Sequence, residues 1–349
     1  MSKDQSRAAR HVKSVNLALQ GGGAHGAFTW GVLDKVFEDD RLWIEALSGT
    51  SAGAMNAVVA AQGMYDGGAE GAREALREFW WQVSKSGQNS PLRRSPLDLA
   101  TGNWSLDHSP GYIWMDMLSR FASPYDLNPI RVDPLRDLVE AFVDFDKVRD
   151  CTDMHLFVSA TNVETGRVRV FRRNEVTLDV VMASACLPSV FHAVEIEGVP
   201  YWDGGYMGNP VLLPFIDESP CADIMIIQIN PIERPGIPRS AREIQNRVNE
   251  ITFNSSLMKE LRMIHLVDRL LDEGKLPAEE FRHINVHIVE AQEDLNPLTA
   301  SSKMNTEWSF LEHLHEVGRA AATRWMDAHF DDLGARSTVD LGPMFEATY

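Results

Sequence analysis

Val15-Asn16-Leu17-Ala18-Leu19 leads into Gly21-Gly22-Gly23-Ala24-His25-Gly26, and the apolar run 43–47 leads into Gly49-Thr50-Ser51-Ala52-Gly53. In both, a short apolar run meets a glycine-rich turn. Helix-like runs follow over residues 27–38 and 52–62. Two strand–turn–helix units in succession predict a parallel α/β domain in three layers. The second turn fits G-x-S-x-G, the elbow that exposes a serine hydroxyl on a sharp strand-to-helix bend. Gly49 and Gly53 leave room for strand and helix to approach. Ala52, Ala54 and Ala57 keep the first helical turn small around Ser51, and Thr50 completes the elbow. The helix behind it offers free N–H groups and a positive dipole end. The first turn adds backbone donors from Gly21, Gly22, Gly23 and Ala24. Donors preorganised toward a developing oxyanion are usually the largest catalytic term.

Beyond these turns the alternation continues and then breaks. Residues 67–84 read as a helix ending in Phe79, Trp80, Trp81 and Val83. Residues 86–129 are rich in Pro, Gly, Ser and Asn, yet carry Trp104, Tyr112, Trp114, Met115, Met117 and Phe121. Insertions of this length are usually functional or disordered. The functional reading is a lid or interfacial acyl-binding segment. The plainer alternative is that the aromatics pack on the core. Asp133 before Pro134 predicts a capped helix over 134–145. Strands at 156–161 and 167–172 form one hairpin, and strands at 190–197 and 199–202 form another. The second hairpin delivers Asp203-Gly204-Gly205. Residues 224–229 make an apolar strand. From residue 240 the texture is mainly helical, at 240–271 and 307–330, with one more strand at 284–289. The expected organisation is an α/β domain over 14–239 and a mainly helical C-terminal region, 240–349, packed on the same core. Residues 1–13 read as a mobile tail.

With 349 residues, 44 % apolar and 24 % charged, the composition is that of a soluble globular chain. A formal net charge of −17 repels nucleic acid and anionic membranes at long range, while leaving local apolar contact with lipid open. The three cysteines, Cys151, Cys186 and Cys221, are odd in number and scattered, which points to a reducing compartment. They have no metal-ligand spacing. Neither a signal peptide nor a membrane-spanning run is found. The expectation is a cytoplasmic protein with peripheral membrane contact. Nothing in the sequence speaks to its oligomeric state.

Further motifs sharpen the elbow. Ala183-Ser184-Ala185-Cys186-Leu187-Pro188-Ser189-Val190-Phe191 precedes Asp203-Gly204-Gly205, and Asn209-Pro210 follows it. With the glycine turn and G-x-S-x-G, these resemble the patatin-like phospholipases over residues 15–230. That family carries G-G-G-x-R-G, G-x-S-x-G, A-S-x-x-x-P-x-x-F and D-G-G or D-G-A in this order. The resemblance implies a Ser–Asp dyad, with Ser51 as nucleophile and Asp203 as base. It implies lipid or other acyl-ester substrates, no cofactor and no metal. One departure is His25, where the family commonly has arginine. A neutral imidazole supplies no permanent charge.

Chemically the dyad is coherent. Serine needs a base during attack. An ordinary aspartate, with a pKa of about 3.9, is a poor one at neutral pH. Burial beside Tyr201 and Trp202 would raise it. Two other classes compete. Gly21, Gly23 and Gly26 match G-x-G-x-x-G, but the second strand ends in Ser48-Gly49-Thr50-Ser51 where a dinucleotide site needs an acidic residue. A non-catalytic lipid-binding protein could keep the fold, although intact Ser51 and Asp203 argue against it. A Ser–Asp–His triad is formally open through His265, His283, His287, His313, His315 or His329. None of these sits in a glycine turn at a strand end, and Asp203 does.

Overall fold

Side-chain alternation along the central strands builds two cores. In β1 (Lys13–Leu19), Val15, Leu17 and Leu19 enter one core and Ala18 the other. In β7 (Asp223–Ile227), Met225 and Ile227 join the first, and Ile224 and Ile226 the second. A strand buried on both faces reads as a continuous apolar run, as these do. The computed structural model describes residues 13–119 and 121–345. The predicted tail at residues 1–12 lies outside them. Lys13 itself belongs to β1, and its ammonium caps the carbonyls of Phe330, Asp331 and Leu333 at 2.9–3.0 Å.

The fold is a mixed α/β sheet with helices on both faces. Five parallel strands run in the order β3 (His155–Asn162), β2 (Leu42–Gly49), β1, β7 and β8 (Asn285–Val289). Antiparallel to β3 lie β4 (Val168–Arg172) and β6 (Val199–Asp203), and β5 (Val194–Ile196) pairs β6. The expected second hairpin is therefore present but shorter than residues 190–197 suggest. Helices α1 (Gly26–Glu38) and α2 (Ala52–Ser86) cover one face. Gly67 and Gly68 break α2, so the two helices expected there are separated by a kink. Helix α3 (Leu178–Ser184) precedes β5; α4 (Ala241–Asp272) covers the other face; α5 (Trp308–His329) packs on α1. Strand β8 completes the sheet from within the C-terminal region, so that region shares the core of the rest.

Among the described residues, 86–129 hold three short α-helices, each opening on a proline: Pro96–Thr101, Pro110–Ser119 and Pro124–Leu127. Ser95 and Ser123 cap two of them through reciprocal bonds with Asp98 and Asp126. The aromatics divide. Trp104 stacks on His313, lies tilted against Phe310 and has the Arg94 guanidinium over its ring, as an ordinary packing residue. Trp114 is 63 % exposed, beside exposed Ile113 and Met117 on the same helix.

Helices α1 and α5 cross with almost no space between them. A Cβ on Gly31 would run into the His315 carbonyl, and one on Gly318 into the Phe28 carbonyl. At the same crossing Asp34 receives Arg73 from α2 at 2.7 Å, His315 from α5 at 3.2 Å, and Arg319. These partners outweigh the desolvation of Asp34 and hold its carboxyl well below the usual range. Gly318→Ala is expected to lose about 1–3 kcal/mol by overpacking. A urea midpoint equal to wild type would show that the helices separate at no cost.

Candidate active site

The register along β3 sets the site. Ala160 pairs Arg169 of β4 on one edge and Asp203 of β6 on the other, while Val158 pairs Phe171 of β4 and Gly49 of β2. Strands β2 and β6 therefore lie end to end along one edge of β3, running toward each other. Their C-terminal residues, Gly49 and Asp203, stand opposite positions two residues apart, a spacing of about 7 Å. Ser159 lies between those positions and closes the gap. Its hydroxyl bonds Thr50 Oγ1 at 2.7 Å and the Gly208 carbonyl at 3.0 Å, and Thr50 Oγ1 bonds the same carbonyl at 2.7 Å.

Ser51 occupies the elbow between β2 and α2 at φ 55°, ψ −121°, a region that side chains other than glycine rarely adopt. Strain of this kind persists where its surroundings enforce it. Here the Ser51 N–H donates to Ser184 Oγ at 2.8 Å, from the end of α3. Close backbone contacts do the rest. A Cβ on Gly49 would strike the Gly53 carbonyl, and one on Gly53 the Leu19 carbonyl. Gly23 takes φ +57° with the Lys303 carbonyl 2.5 Å from where its Cβ would be. The N–H groups of Gly22, Gly23, Ala24 and Ala52 meet no acceptor among the described residues. Gly21 differs: its N–H donates to Asn209 Oδ1 at 2.7 Å, so it positions the turn rather than serving as a donor.

Asp203 is 1 % exposed. Its Oδ1 accepts the Gly205 N–H at 2.7 Å, while Oδ2 has no hydrogen-bond partner among the described residues. Burial pushes the carboxyl up to about 7, against opposing pulls from the Gly205 N–H, the Ser51 hydroxyl and the Lys303 ammonium. The apolar wall comes from Phe253 of α4, which packs against Gly205 so closely that a Cβ there would overlap the ring. Trp202, expected to help, points to the opposite face of β6, because strand residues alternate. Tyr201 shares the face of Asp203 and is buried on Phe171.

The structure thus brings together Ser51, Asp203, the elbow residues and the glycine turn. Sequence reasoning quoted Asn209 only as part of a motif and missed the other side chains that hold them in place. Gln20, Asn209, Asn230 and Asn254 form a buried amide network at the strand ends. Asn230 Nδ2 donates to the Gly21 carbonyl at 2.9 Å. An amide-rich set beside glycine turns was the signal available. His25 is buried, held neutral by burial and by Lys303, and bonded through Nε2 to Ser302 Oγ at 2.8 Å. The six later histidines make no bond to Ser51 or Asp203. His287 pairs Asp223, His315 Asp34, His329 Asp332 and His283 Asp268, while His313 stacks on Trp104 and His265 lies against Phe345. No cluster of side chains suited to a metal ion is present among the described residues.

A serine on a strained elbow, facing a buried aspartate at the C-terminal edge of a parallel sheet, defines the class of site. The profile of the patatin-like phospholipases matches residues 17–216, and the chain belongs to that family. Family membership implies lipid hydrolase activity. Among solved structures, VipD from Legionella pneumophila is similar at 16 % identity and a TM-score of 0.42, over 91 % of this chain and 67 % of that one. The ExoU–SpcU complex from the type III secretion system of Pseudomonas aeruginosa is similar at 16 % identity and a TM-score of 0.36, over 93 % of this chain and 52 % of that one. No curated protein matches the chain. No helix among the described residues is long and apolar enough to cross a membrane.

The Asp203 environment has a stability signature. Its folded pKa, about 7, lies above the ordinary 3.8, so between those values the folded state binds more protons than the unfolded. Stability contributed by the protonated carboxyl is full below the ordinary value and is lost as pH rises through about 7. Asp203→Asn removes that loss. Its melting temperature is expected to gain on wild type as pH rises from about 5 to 8, by the equivalent of on the order of 1–3 kcal/mol. A difference that stays constant with pH would contradict the raised pKa.

Proposed function

We propose that the protein is a serine acyl hydrolase of lipid esters working through a Ser51–Asp203 dyad. The observation that carries this reading is the buried, unpartnered Oδ2 of Asp203 beside the strained elbow of Ser51. Ser51 Oγ attacks the ester carbonyl as its proton passes to Asp203. The oxyanion takes N–H bonds from Gly22, Gly23, Ala24 and Ala52. Collapse expels the alcohol, which takes the proton from Asp203 and leaves an acyl-enzyme. Water, deprotonated by the same carboxylate, then releases the acid. The base must be ionised, so the rate rises with pH through about 7, the value to which burial brings Asp203. Thioesters, triacylglycerols and polyesters fit the same chemistry. Nothing in the site favours one of them over a phospholipid.

The insertion supports an interfacial role. The Tyr125 ring lies tilted against His192 with centroids 4.1 Å apart, and its hydroxyl accepts the Ala193 N–H at 3.1 Å. His192 Nε2 lies 3.1 Å from the Pro124 carbonyl. The insertion is thus latched to the segment that follows Ser184, the residue bonded to Ser51. Its exposed Trp114, Ile113 and Met117 face water and are suited to an aggregated lipid surface.

A fluorophosphonate probe is expected to label one serine, Ser51, and Ser51→Ala is expected to lower turnover by several orders of magnitude. Peptide mapping that places the adduct elsewhere would overturn the assignment. Trp114→Ala is expected to reduce hydrolysis of micellar substrate several-fold more than hydrolysis of a soluble short-chain ester. Equal losses on both would remove the interfacial reading.

A further inference from the structure

One short stretch holds the backbone of both dyad members. Ser184, the last residue of α3, accepts the Ser51 N–H at its Oγ, 2.8 Å away. Two residues on, the Cys186 carbonyl accepts the Asp203 N–H at 2.8 Å. The stretch is itself fixed. Ala185 and Cys186 donate their N–H groups to the Met182 and Ala183 carbonyls at 3.2 Å. The Cys186 thiol donates to the His192 carbonyl at 3.0 Å. Residues 180–186 are buried without a break.

At the elbow the bond from Ser184 completes a set. The Thr50–Ser51 peptide is held at both ends: its carbonyl accepts the Gly53 N–H at 2.8 Å, and its N–H donates to Ser184. The next peptide is held at its carbonyl, where Ser51 accepts the Met55 N–H at 3.1 Å. A peptide turns as one plane, so tying both planes fixes the rotations between them. Those rotations are the φ of 55° and ψ of −121° at Ser51, and they set the direction in which its side chain leaves the backbone. Of the three bonds, only the one from Ser184 depends on the identity of a side chain. An alanine at 184 would present a methyl group to the Ser51 N–H and remove one tie from a strained residue.

The register of β3 carries Gly49 and Asp203 to their places, and Ser51 lies two residues past Gly49. We propose that Ser184 is a positioning residue of the reaction: through the Ser51 amide it holds the strained elbow so that the hydroxyl stays turned to Asp203, an inference that rests on the dyad reading above. Ser184 does this without meeting the substrate. Because Cys186 holds the Asp203 amide from the same buried stretch, nucleophile and base are referred to one rigid support. Loosening one of them changes how often the hydroxyl lies in line between its base and the ester carbon. That appears in kcat and leaves substrate affinity alone.

The test is hydrolysis of a soluble ester, p-nitrophenyl butyrate, by the full chain carrying Ser184→Ala or Ser184→Thr, with Ser51→Ala alongside. The rate of fluorophosphonate labelling at Ser51 is measured on the same Ser184 variants. Ser184→Ala is expected to lose about 10- to 10²-fold in kcat with KM within about twofold, the scale of a misplaced reacting group. Labelling reads the reactivity of Ser51 without turnover and is expected to slow by a similar factor. Ser184→Thr keeps the oxygen and is expected to recover most of both rates. A folded Ser184→Ala with near wild-type kcat overturns the proposal, as does a loss confined to KM or a labelling rate that does not change. A folded Ser184→Thr that loses as much as Ser184→Ala also overturns it, because the oxygen is then not what acts. If Ser184→Ala loses its melting transition, Ser184 is a structural tie and the proposal falls. An inactive Ser51→Ala beside a fully active Ser184→Ala sinks this inference alone. If Ser51→Ala keeps wild-type turnover, the dyad reading itself fails and this inference with it.

Discussion

Helix α2 starts against bare backbone. Gly53 sits on the Leu19 carbonyl at the end of β1, and Gly49 sits on the Gly53 carbonyl, so the first turn of α2 lies in the crook between two strands. A side chain at either position would push the helix outward. The same contact carries Ser51 to Gly21, where a Cβ would stand 2.7 Å from the serine Cβ. The glycine turn, the elbow and the helix start are thus one packed unit. The dipole of α2 points at the serine because nothing larger than hydrogen separates these backbones.

Around that unit the protein keeps polar groups dry. Gln20, Asn209, Asn230 and Asn254 are nearly inaccessible and satisfy one another and the strand-end backbone. A satisfied buried network is rigid, and a half-satisfied one is expensive. Beside this network Asp203 Oδ2 is buried without a hydrogen-bond partner among the described residues.

Much of this was legible in the sequence, for a physical reason. A turn that must pass backbone against backbone demands glycine, and a strained elbow needs small neighbours, so Gly21–Gly26 and Gly49–Gly53 announce themselves. The sheet was legible because strands buried on both faces read as unbroken apolar runs. What was not legible depends on distant packing. Composition cannot separate Trp104 from Trp114, since the same residue type serves a core or a surface. Phe253, on a helix far along the chain, walls Asp203, while Trp202, its neighbour in sequence, faces away. Lys303 sits in an unremarkable polar stretch and acquires meaning only through the turn it touches. The end-to-end placement of β2 and β6 needed the register of β3, which no local pattern encodes.

That placement makes the separation of Ser51 and Asp203 a counted quantity. Both strand ends are measured along one edge of β3, so the interval between them changes only in steps of a residue, about 3.3 Å, and cannot drift. The insertion at 86–129 lies between β2 and β6 in the chain, while β3 holds the gauge. The length of that insertion therefore leaves the spacing of the two strand ends untouched.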